Sequence, residues 1–243
     1  MIVIFDKTEI KVKGQIYLIP VTLGGDDYAA VIPGKTLEIT RRLRHFVVED
    51  VRSARRFLRL IDKGFPIDST VFYELNEHTP AAEVSSFLEP VLNGSDIGLM
   101  SEAGLPGIAD PGAMLTAIAH RKRITITPLS GPSSIIMALI SSGLNGQNFC
   151  FNGYLPVKPG ERASKLKEIE RRAHEGYAQI FMETPYRNQK MIETILSVCG
   201  NETMLCIAAD ITLSTESIKT MKIAEWKMEI PDLKERLVVF VLQ

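Results

Sequence analysis

Short apolar runs alternate with longer stretches of helical periodicity through the first half of the chain, and that alternation is the pattern of parallel βαβ units. It predicts strands at Ile16 to Pro20, Phe46 to Glu49, Val71 to Leu75, Ile97 to Met100 and Ile124 to Pro128. Helices are expected between them, as at Ser53 to Asp62 and Ala81 to Asn93. The second half opens on "SGPSSIIMALISSGL" from Ser130, where the Gly-Pro-Ser-Ser start can cap a helix and leave main-chain N–H groups free. It continues through "FCFNGYLP", a charged helix around Ser164 to His174, a strand at Gln179 to Glu183, a helix from Asn188 to Cys199 and strands near Met204 to Ala208 and Arg236 to Leu242. At 243 residues, 45% of them hydrophobic, the chain is long enough for one large or two small domains with proper cores. The boundary is placed near Gly131, giving domains 1–131 and 132–243.

Four of the predicted strands empty directly into loops rich in Gly, Pro or hydroxyl residues: "PVTLGGDD" from Pro20, "SEAGLPG" from Ser101, "LSGPSS" from Leu129 and "ETPYR" from Glu183. In a parallel sheet, ligands bind outside the carboxyl ends of the strands, so loops at strand ends can converge on one pocket. In "SEAGLPGIADPG", Gly104, Gly107 and Gly112 let the backbone turn, Pro106 and Pro111 fix its shape, and Asp110 reads as the cap of a helix through Met114, Leu115 and Ile118. None of the loops carries G-x-G-x-x-G or G-x-x-x-x-G-K-[ST], which argues against a dinucleotide site or an NTPase.

The net charge of −1 supplies no global attraction for nucleic acid, so such contacts would have to come from local clusters. "RRLRH" at Arg41 to His45 and "RSARRFLR" at Arg52 to Arg59 form one such cluster. A second set, Lys158, Arg162, Lys165, Lys167, Arg171 and Arg172, is interspersed with Glu161, Glu168, Glu170 and Glu175 and reads as a solvated helix face. Cys150, Cys199 and Cys206 form no C-x-x-C pair, which suits a reducing compartment. The four histidines stand at no metal-ligand spacing, so no metal is expected. The N-terminal stretch lacks the order of a signal peptide and no run approaches a membrane span, so a cytoplasmic protein without membrane partners is expected.

Taken in order, "YLIPVTLGG", "VVEDVR", "NEH", "MSEAGLPGIADPG", "LSGPSSIIMALISSGL", "FCFNGYLP" and "METPYR" resemble the tetrapyrrole methylase family. Within it they look most like the branch of small-subunit ribosomal RNA cytidine 2′-O-methyltransferases. The resemblance implies a two-domain α/β methyltransferase that binds S-adenosylmethionine in the cleft between domains, acts on small-subunit ribosomal RNA or the small ribosomal subunit, and forms a homodimer. It places cofactor contacts at Leu23, at Ser101, Glu102, Ala103, Gly104 and Leu105, at Ser133 and Ser134, at Met182 and Glu183, and at Ala208, Ala209 and Asp210.

A ribose hydroxyl is a poor nucleophile at neutral pH, so a base would assist transfer to it. The acidic candidates in these motifs are Glu49, Asp50 and Glu77, with Arg52 able to orient a phosphate; Glu49, Asp50 and Arg52 read equally well as members of an ion pair. The chain departs from the branch at its first loop, "LGGDDYAAVIPG", at Val51, and at "ADITL", where Ala209 and Leu213 stand in place of arginine and lysine. Those departures keep two other readings open: carbon methylation of a tetrapyrrole precursor, and a non-catalytic module that senses S-adenosylmethionine.

Overall fold

The computed structural model describes residues 13–243, and the expectation concerning a signal peptide falls mostly on residues outside that range. The described residues divide into two compact units, one of residues 13–22 and 26–132, the other of residues 23–25 and 133–243.

The first unit is built on a five-stranded sheet in the order β3-β2-β4-β1-β5. Its strands are β1 (Gln15–Leu18), β2 (His45–Val48), β3 (Val71–Glu74), β4 (Ile97–Met100) and β5 (Thr125–Pro128), all parallel. The helices of this unit are α1 (Tyr28–Val31), α2 (Gly34–Arg42), α3 (Val51–Ile61), α4 (Ala81–Val84), α5 (Glu89–Leu92) and α6 (Gly112–Arg121). Successive strand residues face opposite sides, so Phe46 joins a core with Ile19, Leu58, Phe65 and Met100, while Val47 joins the other core with Ile16, Leu88, Ile97 and Leu115. Both faces of a parallel sheet are thereby covered.

Three expectations differ in this unit. The helix expected over Ala81 to Asn93 is broken into α4, a 3₁₀ turn at Ser86–Leu88 and α5. Pro90 lies in the first turn of α5, where it needs no N–H donor, whereas a continuous helix would place its ring against the carbonyl of Ser86. Asp110 does not cap α6 at the N-cap position, which Pro111 occupies; its carboxylate instead accepts from Gly107 N–H and Gly112 N–H, each at 2.7 Å. The sequence pattern also passes over α2, whose buried face includes two threonines: Thr40 bonds back to the Thr36 carbonyl and Thr36 bonds to the Ser130 carbonyl.

The second unit carries a five-stranded sheet in the order β6-β7-β10-β8-β9. Its strands are β6 (Phe149–Tyr154), β7 (Ala178–Glu183), β8 (Met204–Ala209), β9 (Ser217–Lys222) and β10 (Val238–Leu242). β6 and β7 are parallel; β10 runs antiparallel to both β7 and β8, and β9 antiparallel to β8. The helices are α7 (Ser134–Ser142), α8 (Pro159–His174), α9 (Asn188–Val198) and α10 (Ile223–Trp226). Ser133 caps α7 by accepting from Ile136 N–H at 3.5 Å, and Gly143 ends it at φ 72°. The sequence pattern does not predict β9: it is an edge strand of alternating exposure, "SIKTMK", without the apolar run that marks the other strands.

Gly131, in the loop after β5, sits where a Cβ would lie 2.3 Å from Cβ and Cγ of Pro20, in the loop after β1. The proline ring cannot swing aside. Gly131→Ala is expected to cost about 1–3 kcal/mol by overpacking, read as a lowered denaturation midpoint in urea.

Candidate methyl-transfer site

In the first sheet, the chain leaves β1 toward β2 on one side and leaves the adjacent β4 toward β5 on the other. The carboxyl ends of β1 and β4 are therefore a topological switch point, the position at which open α/β sheets form their ligand crevice. Main-chain bonding ties the two loops together there: Val21 N–H donates to the Gly104 carbonyl at 2.9 Å. Gly104 holds φ 68° and Gly107 φ 87°, both in the left-handed region that favours glycine, and no atom lies within 4 Å of where a Gly107 Cβ would be. Asp110, with its two main-chain bonds, holds the far side of this loop. Burial raises its pKa, against the N–H groups of Gly112, Gly107 and Ile108 that favour the ionised form.

Glu49 comes just after β2 and reaches the same region. Its N–H donates to the Met100 carbonyl at 3.3 Å, and its Oε2 accepts from Glu102 N–H at 3.4 Å. Burial pushes the Glu49 carboxyl above the ordinary glutamate range; the Glu102 N–H opposes that shift, and the charges of Glu102, Asp110 and Asp50 add to it. The structure thus brings Glu49 together with Ser101 to Leu105. Asp50, its neighbour, is occupied differently: it is the N-cap of α3, and its Oδ2 accepts from Ser53 N–H at 2.6 Å. That bond is the largest cause of a pKa below the ordinary aspartate value. Arg52 is exposed on the first turn of α3 and forms no ion pair among the described residues. Glu77 lies in an exposed turn after β3, 3.5 Å from His78, with 87% of its side chain open to solvent.

In the second unit the anticipated cofactor residues are mostly sealed. Leu23 is buried among Ile135, Ala138, Ile180 and Val239. Glu183 ends β7 with no side-chain exposure; its Oε1 accepts from Thr184 N–H at 2.7 Å and from Arg187 Nε at 2.8 Å, while its Oε2 has no partner among the described residues. Met182, beside it, is half-buried. Ala208 and Ala209 are buried in β8, and Asp210 just beyond them adopts φ 54°. The Asp210 carboxylate accepts from Leu237 N–H at 2.9 Å, Arg236 Nε at 2.8 Å and Thr215 Oγ1 at 2.9 Å. Burial opposes its ionisation, but the Arg236, Leu237 and Thr215 bonds outweigh that and set its pKa below the usual value. With these carboxylates committed, what positions 182–183 and 208–210 can offer a ligand is chiefly their main chain. Arg187 and Arg236, which do the committing, escape the sequence reading. Arg187 is within its reach, four residues past Glu183 in "ETPYR", whereas Arg236 lies 26 residues from Asp210 and only the β8–β10 pairing joins them.

Two of the three thiols are unsuited to nucleophilic work: burial pushes Cys199 up to about 12 and raises Cys206 as well. Among the described residues no group of three or more His, Cys, Asp or Glu side chains is placed to hold a metal ion, and no helix is long and apolar enough to cross a membrane.

The glycine-bearing loop at the switch point, with its open Gly107, suits S-adenosylmethionine, whose binding calls for close main-chain approach. No family model matches the chain. It is 32% identical to the ribosomal RNA small subunit methyltransferase I of Vibrio cholerae serotype O1 over 212 residues, covering 86% of this chain and 69% of that protein. It is 30% identical to the protein of the same name from Escherichia coli O157:H7, covering 95% and 78%. Among solved structures, the methyltransferase CobJ superposes with a TM-score of 0.60 at 16% identity, covering 94% of this chain and 93% of that one, a likeness of fold. The class is that of S-adenosylmethionine-dependent methyltransferases with two α/β units. The chain belongs to the tetrapyrrole methylase family, and within it stands with ribosomal RNA small subunit methyltransferase I.

Because Asp50 serves α3 as its cap, Asp50→Ala is expected to cost about 1 kcal/mol at neutral pH, with S-adenosylmethionine affinity unchanged by calorimetry. Its folded pKa is depressed, so the contribution is present above the unfolded aspartate pKa and is lost as pH falls through the folded one. The stability gap between variant and wild type should close in acid.

Proposed function

We propose that this methyltransferase transfers a methyl group to a ribose 2′-hydroxyl of small-subunit ribosomal RNA in the cytoplasm. The observation that carries the reading is the 32% identity, over 86% of the chain, to a ribosomal RNA small subunit methyltransferase. S-adenosylmethionine, when bound, supplies an electrophilic methyl on a sulfonium centre. The loop of Ser101, Glu102, Ala103, Gly104 and Leu105 would hold it through main-chain groups, with Leu23, Ser133, Ser134, Met182, Glu183, Ala208, Ala209 and Asp210 as the second unit's contribution, and the active form is a homodimer.

Of Glu49, Asp50 and Glu77, Glu49 is best placed for proton removal, because it combines a half-buried carboxyl, a raised pKa and contact with the glycine-bearing loop; Asp110 shares those features, but both its oxygens are taken up by the Gly107 and Gly112 N–H groups. A carboxylate whose pKa is raised is a stronger base once ionised. Asp50 acts instead by starting α3, which places Arg52 on the helix's first turn, where its free guanidinium can meet an RNA phosphate. Glu77, exposed and beside His78, shows none of the burial that raises Glu49.

Two outcomes test this reading. Small-subunit RNA from cells lacking the gene should lose one ribose methyl by nuclease digestion and mass spectrometry, and Gly104→Arg should fail to restore it; an unchanged RNA would redirect attention to tetrapyrrole acceptors. In vitro, transfer should rise with pH along an acid limb displaced above the ordinary glutamate range, since Glu49 keeps its proton to higher pH than a free carboxyl. Glu49→Gln should abolish that limb and reduce turnover about 10²–10⁴-fold while leaving cofactor affinity intact.

A further inference from the structure

At the amino end of the first sheet, opposite the glycine-bearing loops, lies a cavity of about 460 Å³. That is within the range of small-molecule sites, about 300–1,000 Å³. Polar groups reach it from three elements: Tyr17 on β1, Arg42, Arg44 and His45 around the start of β2, and Ser95 and Asp96 just before β4. From the start of β2 to Glu49 is about 13 Å of strand, so this cavity is separate from the site described above.

Two of its donors, Arg44 and Tyr17, are fixed in place. Arg44 spends one nitrogen, Nη1, on the carbonyls of Arg41 and Leu43 at 2.8 and 2.6 Å, and its guanidinium lies 5.2 Å from the centre of the Phe65 ring. It forms no ion pair among the described residues, so the rest of the fork keeps its full charge for a ligand. Arg42 is held only loosely, 3.9 Å from Glu38. The Tyr17 hydroxyl is oriented by a chain of bonds: Thr127 Oγ1 donates to Gln15 Oε1 at 2.9 Å, and Gln15 Nε2 donates to Tyr17 Oη at 2.7 Å. With its oxygen accepting, the phenol has its own proton left to donate. Asp96 accepts from Gln15 N–H with one oxygen, Oδ1, and keeps the other, the one carboxylate among the described residues that line the cavity. Ile39 and Leu43 add an apolar wall.

We propose that this cavity binds a ribose-phosphate unit, with the phosphate on Arg42, Arg44 and the Tyr17 hydroxyl and a sugar hydroxyl on Asp96. Two cationic forks and a phenol match the oxygens of a phosphate. A free anion gains nothing from the lone carboxylate, whereas a ribose hydroxyl donates to it, so a nucleotide suits the site better than inorganic phosphate. The unit can come from free nucleotide or from an RNA strand; the RNA source rests on the acceptor proposed above, and would make the cavity a docking point remote from methyl transfer.

Isothermal titration of the full chain with cytidine 5′-monophosphate, cytidine, inorganic phosphate and a single-stranded RNA hexamer tests this. The nucleotide should bind at least about tenfold more tightly than cytidine or phosphate. Tyr17→Phe and Arg42→Ala, which leave the core intact, should each weaken it about three- to tenfold, with S-adenosylmethionine affinity unchanged. Weakening for both nucleotide and hexamer, or for the hexamer alone, supports the site with RNA as its source; weakening for nucleotide alone supports it with free nucleotide as its source. Neither probe binding, or both binding the variants as tightly as wild type, overturns it. Methyl transfer to small-subunit RNA is measured in parallel: a wild-type protein that transfers nothing yet shows variant-sensitive nucleotide binding would remove the acceptor reading and leave this one standing.

Discussion

The hydrogen bond from Val21 to the Gly104 carbonyl joins the loops of two adjacent parallel strands at the point where the chain departs from them in opposite directions. The rest of the first unit's site depends on it. β4 is flanked by β2 and β1, so the loop at its carboxyl end stands beside both Glu49, after β2, and Pro20 with Val21, after β1. The close approach of Gly131 to Pro20 draws in the loop after β5, and the Thr36–Ser130 bond ties that loop to α2. Three strand ends are thereby fastened around one short glycine-bearing segment, and the segment needs little of its own side-chain chemistry.

Acidic side chains in and around the anticipated site mostly serve the protein's own structure. Asp110 spans Gly107 and Gly112, Asp50 starts α3, Glu183 shapes the turn to Arg187, and Asp210 closes a loop with Leu237 and Arg236. Each carboxylate accepts from N–H groups or guanidinium, the least costly way to place a charge at a strand or helix end, although Glu183 leaves its Oε2 without a partner among the described residues. Glu49 is the exception: a single long bond to Glu102, burial and three neighbouring acids leave its charge poorly compensated. A group in that condition has protons to exchange, which is why the chemistry is assigned to it.

The basic residues that look like one patch in the sequence separate in space. Arg41 is spent on the Ile61 carbonyl at the end of α3, Arg59 on Lys63 and Arg55 on the face of Phe72, while Arg42 and Arg44 open onto the cavity at the amino end of the sheet and Arg52 stands at the carboxyl end. On α8 the expectation of a solvated face holds for Lys158, Lys165, Arg171 and Arg172, which pair with glutamates on the same helix or just past its end, but not for Arg162, which is buried and turns Nη1 to the Val157 carbonyl. Such exposed pairs contribute little to stability.

Local pattern settled the strands of the first sheet to within a residue or two, the Ser133 cap of α7 and the loops at the strand ends, because apolar periodicity and turn chemistry are properties of neighbouring residues. The motif order carried the family. What the sequence left undecided lies in pairings across the chain: the placing of β4 between β2 and β1, the antiparallel insertion of β10 between β7 and β8, and the edge strand β9 with its alternating polar face. So too with the roles of adjacent acids. Glu49 and Asp50 are equivalent in "VVED", and only the packed structure made one a helix cap and the other a half-buried carboxyl beside the Gly104 loop. For Glu49, the burial and the hydrogen-bond partner that set its pKa come from residues about 50 positions away, and no local reading of the chain contains them.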